Sequence, residues 1–168
     1  MARRDRLDGL IDEQSREAQW AALVGRLRCM RGIDTLTAVG LVAEIGDFAA
    51  FAHPKQLASF LGLVPSERST GEKRRQGAIT KAGSSHARPL LIEAAWHYRR
   101  RPAVSLTLRR RQAGQPSAAI EAAWRAQLRL SGRWAHLDAR RAKRRTTMAV
   151  AVARELACFV WKIARLPD

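Results

Sequence analysis

Apolar residues recur every three or four positions along most of this chain, and two-residue alternation is almost absent. That pattern lines one face of a helix and would scatter over both faces of a strand, so the expected fold is mainly α, a helical bundle. Over 7–27 the series Leu7, Leu10, Ile11, Ala18, Ala21, Val24 and Leu27 predicts one long amphipathic helix. Its acidic opening, Asp5, Asp8, Asp12 and Glu13, suits the positive end of the helix dipole. Asp34 and Thr35 can cap a second helix running to Glu44 and stopped by Gly46. Pro54 starts a third through Phe60, closed at Gly62. Ser84 or Ser85 caps the next, through Leu90, Leu91, Ala95 and Trp96 to Tyr98. Pro102 opens a basic helix to Gln112, and Ser117 caps one through Ile120, Trp124 and Leu128. A turn at Ser131-Gly132 and the basic run 140–145 then lead into a final apolar helix.

Charge says more about partners than about fold. Thirty-one Lys and Arg against fifteen Asp and Glu give a formal +16. Such an excess attracts polyanions, and nucleic-acid phosphates are the usual reason, because each neutralised phosphate releases condensed counterions. Anionic membranes and ribosomal RNA are the rivals. The apolar stretch 146–166 is interrupted by Arg154, Glu155 and Lys162, so it reads as a buried helix and not a membrane span. Cys29 and Cys158 are far apart and have no second Cys or His at ligand spacing, which fits neither a zinc site nor a disulfide framework. With no apolar signal core at the N-terminus, the expected location is cytoplasmic.

Two segments could carry function. Residues 27–38, Leu-Arg-Cys-Met-Arg-Gly-Ile-Asp-Thr-Leu-Thr-Ala, are helix-hairpin-helix-like: apolar residues, a Gly turn, then a helix start. Gly32 and Thr35 would offer backbone N–H groups to a DNA phosphate without reading bases. Asp34 stands where that motif usually has a second Gly, and a carboxylate there caps the helix but repels phosphate. A plain pair of helices packed in the core is an equal reading. The second segment is 62–88, within which 65–83 is polar, basic and rich in Gly and Ser and reads as a loop, with a short β-hairpin around Gln76 to Thr80 as an option. Hydroxyls lie among Arg68, Lys73, Arg74, Arg75, Lys81 and Arg88, with His86 a phosphate contact or a cap. A hydroxyl attacking a phosphodiester needs its developing negative charge neutralised, which Arg does bidentately. A solvated basic loop explains the same residues.

Four blocks stand in order at compact spacing: Ala43-Glu44-Ile45-Gly46-Asp47-Phe48, Leu61-Gly62-Leu63-Val64-Pro65-Ser66-Glu67, Gln76-Gly77-Ala78-Ile79-Thr80-Lys81 and Leu91-Ile92-Glu93-Ala94-Ala95-Trp96. With them the chain resembles the C-terminal domain of the IS110/IS116/IS902 group of insertion-sequence transposases, loosely as far as Trp161. The resemblance implies a DNA-binding recombinase part that contributes a Ser nucleophile to strand exchange in DNA transposition. It places that nucleophile in Ser69-Thr70-Gly71, on Ser69, with Thr70 the alternative because some relatives carry Ser directly before the Gly. It also implies DNA and a guide RNA as partners, and a homo-oligomer or an acidic nuclease-domain partner. Mg²⁺ is expected only with that separate acidic domain, whose carboxylates these 168 residues do not contain. Asp5, Asp8, Asp12, Glu13 and Glu17 cluster on one helix and are surface chemistry. The alternative function is a non-catalytic DNA- or RNA-binding remnant or regulator.

The expected division is a helix over 1–28, a core over 29–101 and a helical extension over 102–168. His53, His86, His97 and His136 show no zinc pattern, and the five Trp residues at helical positions fit a core better than base-stacking platforms. The runs 99–101, 109–111 and 140–145 are solvated faces or nucleic-acid contacts.

Overall fold

A computed structural model of the chain describes residues 2–70, 73–80, 82–140 and 144–167. The described residues form eight α-helices and one two-stranded antiparallel sheet, a mainly α fold. The last helix, α8 (Arg145–Ala164), organises the others: Met148, Ala149, Val152, Ala153, Leu156, Ala157, Val160 and Ile163 are buried along it. Small residues interleaved with large ones let several helices approach at once. It packs against α2 (Ala18–Arg28), α4 (Pro54–Phe60), α5 (Ala87–Trp96) and α7 (Ser117–Ala139). A single apolar core therefore runs from Val24 to Ala164. Outside it, Arg129 and Arg133 of α7 both reach Glu155 of α8, at 3.0 and 3.2 Å.

Local signals held where they were strong. Asp34 caps α3 (Thr35–Ile45) by accepting from the Thr37 N–H at 2.9 Å. Pro54 occupies the first turn of α4, and the His53 ring accepts from Lys55 N–H while Gln56 reaches back to His53 N–H. The N-cap of α5 is His86, which makes no side-chain cap bond, and Ser84, two residues before it, stabilises the turn into the helix by accepting from His86 and Ala87 N–H at 3.1 and 2.9 Å.

Elsewhere the structure corrects the expectation. The long first helix is two, α1 (Ala2–Gln14) and α2, parted where Ser15 Oγ turns back to Asp12 O at 2.7 Å. Leu7 and Leu10 consequently stay about half exposed, at 51% and 48%. The basic helix α6 (Leu106–Gln112) begins four residues after Pro102, at a Ser105 cap. No turn forms at Ser131-Gly132: α7 runs through it, because Leu130 and Trp134 continue the buried stripe and Ser131 Oγ donates to Arg100 O at 3.2 Å. Trp134 is buried and meets Trp96 at 5.3 Å, but Trp124 is 38% exposed and is no core residue.

The polar segment is a hairpin longer than expected. Strand β1 (Pro65–Thr70) pairs antiparallel with β2 (Lys73–Ile79), with a register irregularity between Pro65 and Glu67. Its strands pair with each other and touch the helices only marginally, so it is an arm on a helical body.

Candidate nucleic-acid interface

Among the described residues, the contacts that fix the arm lie at its base. Thr80 N–H donates to Val64 O at 2.9 Å, and Ser66 Oγ to Ala78 O at 3.0 Å. Gly83 lies against the turn that ends α4: a Cβ there would come within 2.8 Å of Gly62 N and Leu61 C, and nearer still to Phe60 O. Arg88, half-buried in the first turn of α5, reaches Leu61 O at 3.4 Å. Both roots of the arm thus sit at the N-terminal end of α5.

At the far end, the register sets Arg68 opposite Arg75, Ser69 opposite Arg74, and Thr70 opposite Lys73. The expected nucleophile position and four of the expected basic contacts therefore share the outer rungs of one ladder. Gly71, Glu72 and Lys81 lie outside the described residues.

His86 belongs to a different arrangement. Ser84 Oγ donates to Glu44 Oε2 at 2.6 Å, and His86 Nδ1 stands 3.2 Å from Glu44 Oε1. Hydroxyl, carboxylate and imidazole are thus together, but the carboxylate lies between the other two, and Ser84 already accepts two backbone N–H groups. This is a clasp between the end of α3 and the start of α5. The Ser84 hydroxyl, and then His86, hold the Glu44 carboxyl below its usual range. A depressed carboxyl contributes stability above its unfolded pKa, near 4.5, and loses it as pH falls through the lower folded value. The gap in melting temperature between the parent and Glu44→Gln should therefore be open at neutral pH and close below about pH 4. A gap unchanged down to pH 3, set by roughly the same principle, would mean the clasp is idle.

Gly32 and Thr35 do not act together. Thr35 lines a groove with Asp8, Asp12 and Asp34, a surface that repels phosphate. Gly32, with φ of 83°, is pressed on the other end of α5, where a Cβ would meet Ala94 O at 2.7 Å. Helices α2 and α3 pack across this turn, a geometry common to both readings of the motif. Three of its carbonyls are engaged by side chains: Cys29 O by Gln112, Arg31 O by the buried Tyr98 hydroxyl at 2.8 Å, and Ile33 O by Arg111. Burial pushes the Cys29 thiol up to about 11, against the nearby charges of Arg111 and Arg28, so it is a poor nucleophile.

Sequence reasoning missed what lies on Gly32's other side. Arg31, His97, Arg100 and Arg111 line a groove of about 480 Å³, and a second cavity of about 440 Å³ joins Trp96, His97, Arg99 and Arg100. The signal available was two of the three basic runs, but nothing in the sequence says that 100 and 111 converge. Among the described residues no three of His, Cys, Asp and Glu come together as metal ligands, so these residues do not build the donor set Mg²⁺ needs. No described helix is long and apolar enough to cross a membrane.

Residues 24–110 match the family model described as transposase, IS116/IS110/IS902 family. A Sinorhizobium fredii protein bearing the transposase name y4qE is 48% identical over 145 residues, covering 86% of this chain and 37% of its own length. The transposase for insertion sequence element IS1533 of Leptospira borgpetersenii is 31% identical over 139 residues, covering 82% of this chain and 40% of its own. The chain thus spans well under half the length of either relative.

Proposed function

The chain belongs to the IS116/IS110/IS902 family of transposases, and on that premise we propose that it is the DNA-holding part of such an enzyme, with Ser69 as nucleophile. The observation that carries this reading is the arm: a two-stranded ladder on which Ser69 pairs with Arg74, beside the pairs 68–75 and 70–73. The Ser69 oxygen would form a new bond to a DNA phosphorus, its proton passing to water. The displaced deoxyribose oxygen leaves and takes up a proton, so one phosphodiester replaces another. Arg68, Lys73, Arg74, Arg75 and Lys81 would neutralise the charge on the phosphate oxygens, in one or more protomers. Thr70 is the alternative nucleophile. An acidic nuclease-domain partner and a guide RNA would complete the assembly.

The test is a denaturing gel of the chain with end-labelled duplex DNA, a family acidic-domain protein and its guide RNA. The expected result is a labelled protein–DNA band that is lost in Ser69→Ala. An adduct surviving replacement of both Ser69 and Thr70 by Ala refutes the assignment. Tight, salt-sensitive binding without any adduct would favour the second reading, a non-catalytic DNA or RNA binder.

A further inference from the structure

The groove beside Gly32 has an electrostatic surplus that its own contacts do not cancel. Arg31 donates to Arg101 O at 2.9 Å and to Gln127 Oε1 at 3.2 Å, and Arg111 donates to Ile33 O. All three acceptors are neutral. Arg28 and Arg111 each leave a buried Nε without a hydrogen-bond partner. Asp34 is the carboxylate in the groove; it lies close enough to favour the Arg111 charge, yet one of its oxygens is taken by the α3 cap and it forms no ion pair there within 4.0 Å. Burial and then the charge of Arg28 both act against the Arg111 guanidinium. Half-buried cations of one sign with neutral partners are costly to keep unless something anionic completes them. The Ser105 and Thr107 residues on the rim add hydroxyl donors.

We propose that this groove, lined by Arg31, His97, Arg100, Ser105, Thr107 and Arg111, seats a backbone phosphate of nucleic acid, separate from the arm. It rests on the reading that the chain holds nucleic acid, but on none of the residues of the arm. The groove adjoins the C-terminal end of α5 and the arm roots at its N-terminal end. Ten residues of helix separate the groove from those roots by roughly 15 Å. Both sources of the phosphodiester, DNA and RNA duplex, have the chemistry required.

Arg100 is the residue to change. It is exposed, its side chain ties no part of the fold, and its carbonyl, which Ser131 uses, survives substitution. Anisotropy titrations with a labelled mixed-sequence DNA duplex and the matching RNA duplex would compare Arg100→Ala with Lys162→Ala, a charge-matched change at an exposed site on α8. Arg100→Ala should weaken binding about five- to ten-fold and lower the slope of log affinity against log salt by about 0.9, one phosphate contact. The duplex that shows the loss identifies the source. An equal loss in Lys162→Ala, or none in Arg100→Ala while neutralising the arm abolishes binding, overturns the groove and leaves the function standing. No binding by the parent to either duplex overturns both.

Discussion

Alanine at position 83 should cost about 3 kcal/mol of stability and lower the melting temperature by about 6–12 °C. The added methyl would fall on backbone, not on a flexible side chain: Gly62 N and Leu61 C at 2.8 Å, with Phe60 O closer. Neither wall yields easily. On one side the turn ending α4 is closed by Leu61 N–H to Leu57 O, Gly62 N–H to Ser59 O and Leu63 N–H to Ala58 O, at 2.9–3.0 Å, with Leu61 and Leu63 buried. On the other, the strand is held by Thr80 to Val64 and by the Ser84 clasp. Gly132→Ala supplies the contrast, since no atom lies within 4 Å of its Cβ position and it stands inside α7. That change should be neutral or stabilise by about 0.5–1 kcal/mol, through lost freedom in the unfolded chain. Thermal unfolding of the two variants side by side is the measurement. If Gly83→Ala melts like the parent, the base of the arm is looser than its contacts imply, and the arm has no fixed direction relative to the body.

The positions legible in advance were those whose reasons are local. Asp34, Pro54 and Ser84 act within three or four residues of themselves, so caps and helix starts could be placed from neighbours alone. The arm was only partly legible, because strands announce themselves through one buried face. Strands β1 and β2 make only marginal contact with the helices, and their order comes from the ladder between them. Ser131-Gly132 misled for the opposite reason: the pair has turn chemistry, but Ser131 finds Arg100 O from 31 residues away and the helix continues. The basic groove shows the limit most clearly. Arg31 meets Arg101 O across 70 residues, and Arg111 meets Ile33 O across 78. Only the packed core brings those segments together, whereas Ser69 and its cations are close neighbours in sequence and could be grouped before the fold was known.

Replacing Arg68, Lys73, Arg74 and Arg75 together by Gln should weaken duplex binding on the order of a hundred-fold and flatten its salt dependence by about three to four units. The melting temperature should hardly move, because the strands make only marginal contact with the helices and carry none of the core. That separation is what makes the variant informative. A fall in melting temperature would show the arm to be part of the body, and unchanged binding would move the nucleic-acid surface elsewhere, the groove beside Gly32 first. The same variant should also abolish any covalent adduct, although Ser69 remains, because a hydroxyl gains nothing from a phosphate that is neither held nor neutralised. Ser69→Ala should do the reverse, leaving affinity and salt slope intact and removing the adduct. If both variants lost binding alike, Ser69 would be a contact in the ladder and not the attacking group; if they part as expected, holding and reacting are separate tasks set on adjacent rungs of one arm.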